Sequence, residues 1–144
     1  MDGSGGLVLL RRFRPLACGR LREIEYHREL SWADYSRIRT GYVPRSSRDK
    51  WLVLHQRGEL LFYRSGNGTF VYGTKFSHAG GVFHASRLVV NDDPGQLVPQ
   101  PDHYERTLLN YLIERLLLGR EVRFPAPPGI DSRQAELLEK IWMG

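Results

Sequence analysis

The densest chemistry in this 144-residue sequence lies in one tract, Phe62-Tyr-Arg-Ser-Gly-Asn-Gly-Thr-Phe-Val-Tyr72. Arg64 offers a guanidinium, Ser65 a hydroxyl and Asn67 an amide, with Gly66 and Gly68 leaving the backbone open between them. An arginine presents a rigid fork of donors that matches phosphate or carboxylate, and glycine lets a ligand come close to the main chain. Trp51 and Tyr72 are the aromatic residues expected to stack or pack behind that group. The plainer reading is a strand ending at Arg64 and a serviceable Ser-Gly-Asn-Gly turn.

Elsewhere the sequence offers less. The five histidines, His27, His55, His78, His84 and His103, lack the helical spacing of a metal site. His78 and His84 flank the Gly80-Gly81 break and would need to meet in space to matter. Cys18 is the single cysteine, so a nucleophile pair with a distant histidine has no second support and a buried, inert thiol is the simpler account. There is no GxSxG, HExxH, P-loop, CxxC or dinucleotide-binding glycine pattern. The expectation is no metal and no cofactor.

The elements that must position these groups read as strands first and helices last. Residues 1–6 are a Gly-rich, flexible leader, and 7–144 read as one domain. Residues 7–14 suit a strand stopped by Pro15. Residues 20–28 alternate as a strand but also allow a helix that gathers Leu21, Ile24 and His27. Ser31 with Asp34 marks the start of a short helix carrying Trp32, Tyr35 and Ile38. Residues 51–56 and 59–64 are apolar on both faces and joined at Arg57-Gly58, which predicts a central hairpin covered on each side. Residues 69–77 and 82–91 continue an antiparallel meander. The period then turns helical. Asp102 with Glu105 reads as a capping pair, Leu108, Leu109, Leu112, Ile113 and Leu116 form an apolar stripe, and Gly119 stands at the C-cap. Pro125, Pro127 and Pro128 stiffen a connector to a last helix at 134–143 that would pack through Leu137, Leu138, Ile141 and Trp142. The fold class expected is α+β, an antiparallel meander sheet followed by two C-terminal helices packed on it.

Several of these motifs occur together in a family of small uncharacterised bacterial proteins, which the chain resembles over roughly residues 50–125. The shared features are Trp51, the run from Gly58 through Leu60, Phe62, Arg64 and Ser65 to Gly68 and Tyr72, then Val90-Asn91-Asp-Asp-Pro94. The helix from Tyr104 through Leu108-Leu-Asn-Tyr-Leu-Ile113 to Gly119, and Phe124-Pro125, complete the pattern. The chain departs at the hairpin tip, where Gly66 and Asn67 replace the family's Trp and Thr. The resemblance implies a shared fold and a shared surface around the hairpin, and no particular reaction.

Composition narrows the partners. Hydrophobic residues are 41% and charged residues 26%, values of a globular chain. Net charge is +5, and residues 1–64 hold 13 Lys/Arg against 7 Asp/Glu, a balance of +6. The basic residues alternate with apolar ones along strands and are not interleaved with stacking aromatics, so nucleic acid is disfavoured as a partner. The apolar run Leu7–Leu10 is too short for a membrane span or a signal segment, and the single cysteine fits a reducing compartment, so the expected location is the cytoplasm. The leading expectation is a binding or accessory module that recognises an anionic, phosphate- or nucleotide-like ligand or an acidic protein at the Arg64 hairpin. A hydrolase or transferase acting on a phosphorylated or ADP-ribosyl-type substrate, with His55 or Asp92 as acid/base, is the first alternative. A structural protein that assembles as a homodimer is the second.

Overall fold

Residues 20–28 resolve as a strand. In the computed structural model, which describes residues 19–144, β1 spans Leu21–Leu30. Ile24, Tyr26 and Leu30 bury while Leu21 stays out, the period-2 outcome that a helix would not give. A bulge between Glu25 and Arg28 displaces His27 without reversing the inward face. The leader, the strand expected at 7–14 and Cys18 lie outside the described residues.

The meander follows the turn chemistry. β2 (Trp51–Gln56) and β3 (Glu59–Arg64) are joined by Arg57 and Gly58 at φ of 53° and 79°. Positive φ at both central residues is the two-residue turn whose twist matches that of a hairpin. β4 (Phe70–Ala79) and β5 (Val82–Asn91) complete the run, and all neighbours pair antiparallel in the order β1-β5-β4-β3-β2. The expected central position of the β2–β3 hairpin is therefore corrected. β4 is central, and β2 is a rim strand held from outside at one rung, where Tyr42 exchanges backbone bonds with Val53. The apolar residues on both faces of β2 and β3 predict a central pair covered on each side. What they have instead is burial of the face bearing Trp51, Val53, Leu60 and Phe62.

That face is covered by helices. α1 (Trp32–Ile38) starts at Ser31, whose hydroxyl accepts the Asp34 N–H at 3.1 Å, and it buries Tyr35 and Ile38. Trp32 remains 58% exposed, stacked on Phe83. α2 (Asp102–Tyr111) continues into a π-helical stretch, Leu112–Leu117, and buries Leu108, Leu109, Leu112 and Ile113 against the sheet. Tyr26 donates to Asn110 at 2.6 Å, and Arg28 pairs with Glu114, fastening β1 beneath it.

α2 does not begin as its sequence predicts. Its N-cap is Pro101, and neither Asp102 nor Glu105 caps the helix. Arg22 pulls the entry inward instead: it pairs with Asp102, donates to the Gln100 carbonyl at 2.9 Å and lies 3.6 Å from Glu105.

After Gly119 an irregular connector leads to α3 (Ser132–Met143), opened by a capping box of Asp131 and Gln134. Its expected packing face holds at Trp142 and is corrected at Leu137, Leu138 and Ile141. Leu137 and Ile141 are 59% and 66% exposed, and no residue of α3 is fully buried. The helix docks through Ala135, Glu139, Trp142 and Met143, a stripe turned away from the one its leucines occupy.

Candidate functional site

The hairpin tip is built as a joint. Arg64 Nη1 donates to the Trp142 carbonyl at 2.8 Å, and its Nη2 reaches the Ile141 carbonyl at 3.4 Å. Its guanidinium carbon lies 4.7 Å from the centre of the Trp51 ring. Burial pushes its pKa down, with no carboxylate among the causes. Trp51 is buried, and its indole N–H donates at 2.9 Å to the same Trp142 carbonyl. The two rings of Trp51 and Trp142 meet edge to face at 5.0 Å. A helix C-terminus leaves carbonyls without partners, and here strand residues supply the donors.

The other hairpin residues are tied to backbone nearby, Ser65 to the segment before β2 and Asn67 within its own turn. Ser65 Oγ donates to the Asp49 carbonyl, and Asn67 Oδ1 accepts the Thr69 N–H at 3.0 Å. Tyr72 lies on central β4, where its hydroxyl donates to Glu105 at 2.6 Å. Arg64 and Trp51 thus meet, while Ser65, Asn67 and Tyr72 each bind elsewhere.

The acid/base candidates are dispersed as well. His55 sits opposite Leu60, four residues along the ladder from the Trp51–Arg64 pair, or about 13 Å at strand spacing. Its Nε2 is 2.6 Å from the Tyr35 hydroxyl, and burial, aided by Arg39, holds its pKa down. Asp92 is tied to Arg20 and Arg22 beyond the end of β5. His78 stacks on Phe83, whereas His84 lies one position along the ladder and pairs with Glu29, so the two do not meet. Among the described residues no group of three or more His, Cys, Asp or Glu side chains is arranged to hold a metal ion. Among them, too, no helix is long and apolar enough to cross a membrane.

A cleft of about 290 Å³ opens between the sheet, the start of α2 and α3. Leu97, Leu108, Phe124, Leu138 and Ile141 give it apolar walls, and Tyr72, Asn91, Gln100 and Glu105 bring polar groups to it. Glu105 is the unusual member. It is buried, and its pKa is raised by desolvation despite the bond from Tyr72 and the charge of Arg22. Among the described residues only the Tyr72 bond is of ordinary length, since the Gln100 N–H stands at 3.4 Å and Arg22 at 3.6 Å. A carboxylate has about four acceptor positions, so this one retains capacity.

Sequence reasoning missed Glu105 by assigning it to a cap. The usable signal was its place on the apolar stripe, because Glu105, Leu108, Leu109 and Leu112 share one side of a helix. On the far side of α3 a second, shallower hollow of about 500 Å³ lies among Tyr42, Tyr111, Arg115 and Glu139. No family model, curated protein or solved structure matches this chain.

Proposed function

We propose that this chain is a small binding module whose ligand seat is the cleft under α3. The ligand class it suits is a compact, mainly apolar molecule carrying one hydrogen-bond-donating head, such as an amine or hydroxyl. One observation carries this reading: Glu105 is a buried carboxylate with a single close donor among the described residues, in the wall of a mainly apolar cavity. Ligand sites are commonly apolar hollows with a few placed polar groups, and about 290 Å³ stands at the small end of their range. The Arg64 hairpin supports an anion site less well, because its guanidinium already serves two carbonyls. An enzyme reading lacks a neighbouring acid/base pair, since Arg64, His55 and Asp92 stand apart.

A ligand-detected NMR screen of small amines, alcohols and carboxylates tests this proposal. Binders are expected among amines and alcohols, with displacement by Leu97→Trp, which fills the cavity, and weakened amine binding in Glu105→Gln. If nothing binds, or if Leu97→Trp binds every hit as well as the wild type, the cleft is not the ligand seat.

A further inference from the structure

We propose that the Trp51 indole N–H and the Arg64 guanidinium form a receptor for an anionic oxygen, carboxylate or phosphoryl, that α3 occupies with its own carbonyl. This goes beyond the cleft reading and rests on different contacts. Two donors from neighbouring strands, one of them charged, converge on a single oxygen, Trp142 O, at 2.9 and 2.8 Å. Such convergence on one atom is how proteins hold an oxyanion. A peptide carbonyl carries only a partial negative charge, so it is a weak occupant for that pair of donors.

Three further observations separate this from an ordinary helix cap. Arg64 is partly desolvated over the Trp51 ring, and among the described residues no ion pair to a carboxylate supports it. The occupant is held along one stripe only: Trp142 meets the rings of Trp51, Tyr111 and Phe124 and Glu139 accepts from Tyr111, while no α3 side chain is fully buried and hollows flank the helix on both sides. The connector of residues 118–131 has no regular structure, and α3 contributes no strand to the sheet, so it can leave the site without unravelling the sheet. A 12-residue helix is marginal on its own, so undocking and unwinding are coupled.

The apparent affinity of a self-occupied site is the intrinsic affinity reduced by the small fraction of molecules in which it is open. Weakening α3 far from the site must then tighten anion binding. Asp131 and Gln134 form the capping box at the opposite end of α3 and are exposed, so Asp131→Ala loosens the helix without touching a donor. Loss of such a cap shifts the equilibrium about fivefold.

The test titrates full-length protein with inorganic phosphate and, separately, with acetate, at constant ionic strength set by chloride. The readouts are the Trp51 indole N–H resonance and the α3 backbone amides. The expected result is a Trp51 shift with loss of α3 protection, an apparent Kd about fivefold lower in Asp131→Ala, and no shift in Arg64→Lys. Gln134→Ala serves as a second loosening variant with the same expected direction. A response to phosphate alone identifies a phosphoryl ligand, and an equal response to acetate identifies a carboxylate. The proposal is overturned if Trp51 does not respond to either anion in the loosened variants. It is equally overturned if the affinity is the same with α3 intact and loosened.

Discussion

The hydroxyl of Tyr72, on the central strand, donates to the carboxylate of Glu105, on the covering helix, across 2.6 Å of buried space. Removing the donor in Tyr72→Phe leaves Glu105 with only its longer contacts. The expected cost is about 1–3 kcal/mol near neutral pH, read from denaturant unfolding. A stability equal to that of the wild type would show that Arg22 alone satisfies the acid.

Glu105 also gives stability a pH dependence. Its folded pKa is raised, with desolvation the largest cause, so the folded state holds the proton more tightly than the unfolded chain. The contribution is fully present below the ordinary carboxylate pKa and is lost as pH rises through the raised value. The melting temperature of the wild type relative to Glu105→Gln should therefore fall as pH increases from acid toward neutral. A difference that is flat with pH, or that rises, removes the assignment.

Leu112 is fully buried at the junction of α2 and its π-helical continuation. Leu112→Ala is expected to cost about 2–5 kcal/mol, the range for deleting a core leucine side chain. Calorimetry with a melting temperature close to that of the wild type would contradict this placement.

Arg64→Lys separates a planar fork from a point charge. An ammonium cannot keep both carbonyl contacts and the face-on approach to Trp51. Protection of the α3 amides against hydrogen exchange should drop about tenfold, equivalent to roughly 1.4 kcal/mol, while the sheet amides keep theirs. Unchanged α3 protection would mean that the ring contacts of Trp142 hold the helix unaided.

Arg57 adopts a left-handed conformation, φ 53°, at the first position of the β2–β3 turn. Asparagine tolerates that region better than arginine, and Asn-Gly is the preferred pair for such turns. Arg57→Asn should raise stability by up to about 1 kcal/mol. A lower melting temperature would indicate that the Arg57 side chain makes a contribution larger than the strain it carries.

The readable parts of this fold were local ones. Ser31 capping Asp34, the Arg57-Gly58 turn and the leucine stripe of α2 are set within a few residues, and each appears where its pattern places it. The site was not local. Tyr72 and Glu105 are 33 positions apart, and Arg64 is 78 from the carbonyl it holds, so no spacing rule joins them. The α3 leucines misled for a related reason. Their amphipathic period was read correctly as helical, but the docking face was chosen by Trp142 and by the donors waiting on β2 and β3. Placing β2 and β3 at the centre of the sheet failed because apolar content reports burial of a face and not the number of strand neighbours.

The single bridge at Tyr42 bears on whether copies of this chain polymerise. Backbone groups of an edge strand point outward at alternate residues, so on β2 the positions free to recruit another strand are centred on Val53. Tyr42 consumes that middle rung in both directions. It is held there by Gly41, whose φ is 69° and where a side-chain carbon would fall 2.3 Å from the Val53 oxygen. An incoming strand must expel this turn before it can form consecutive rungs, so the rim resists the edge-to-edge growth that leads to aggregates. Gly41 thus guards colloidal behaviour: a bulkier residue there would unseal β2 and turn the margin of the sheet into a template.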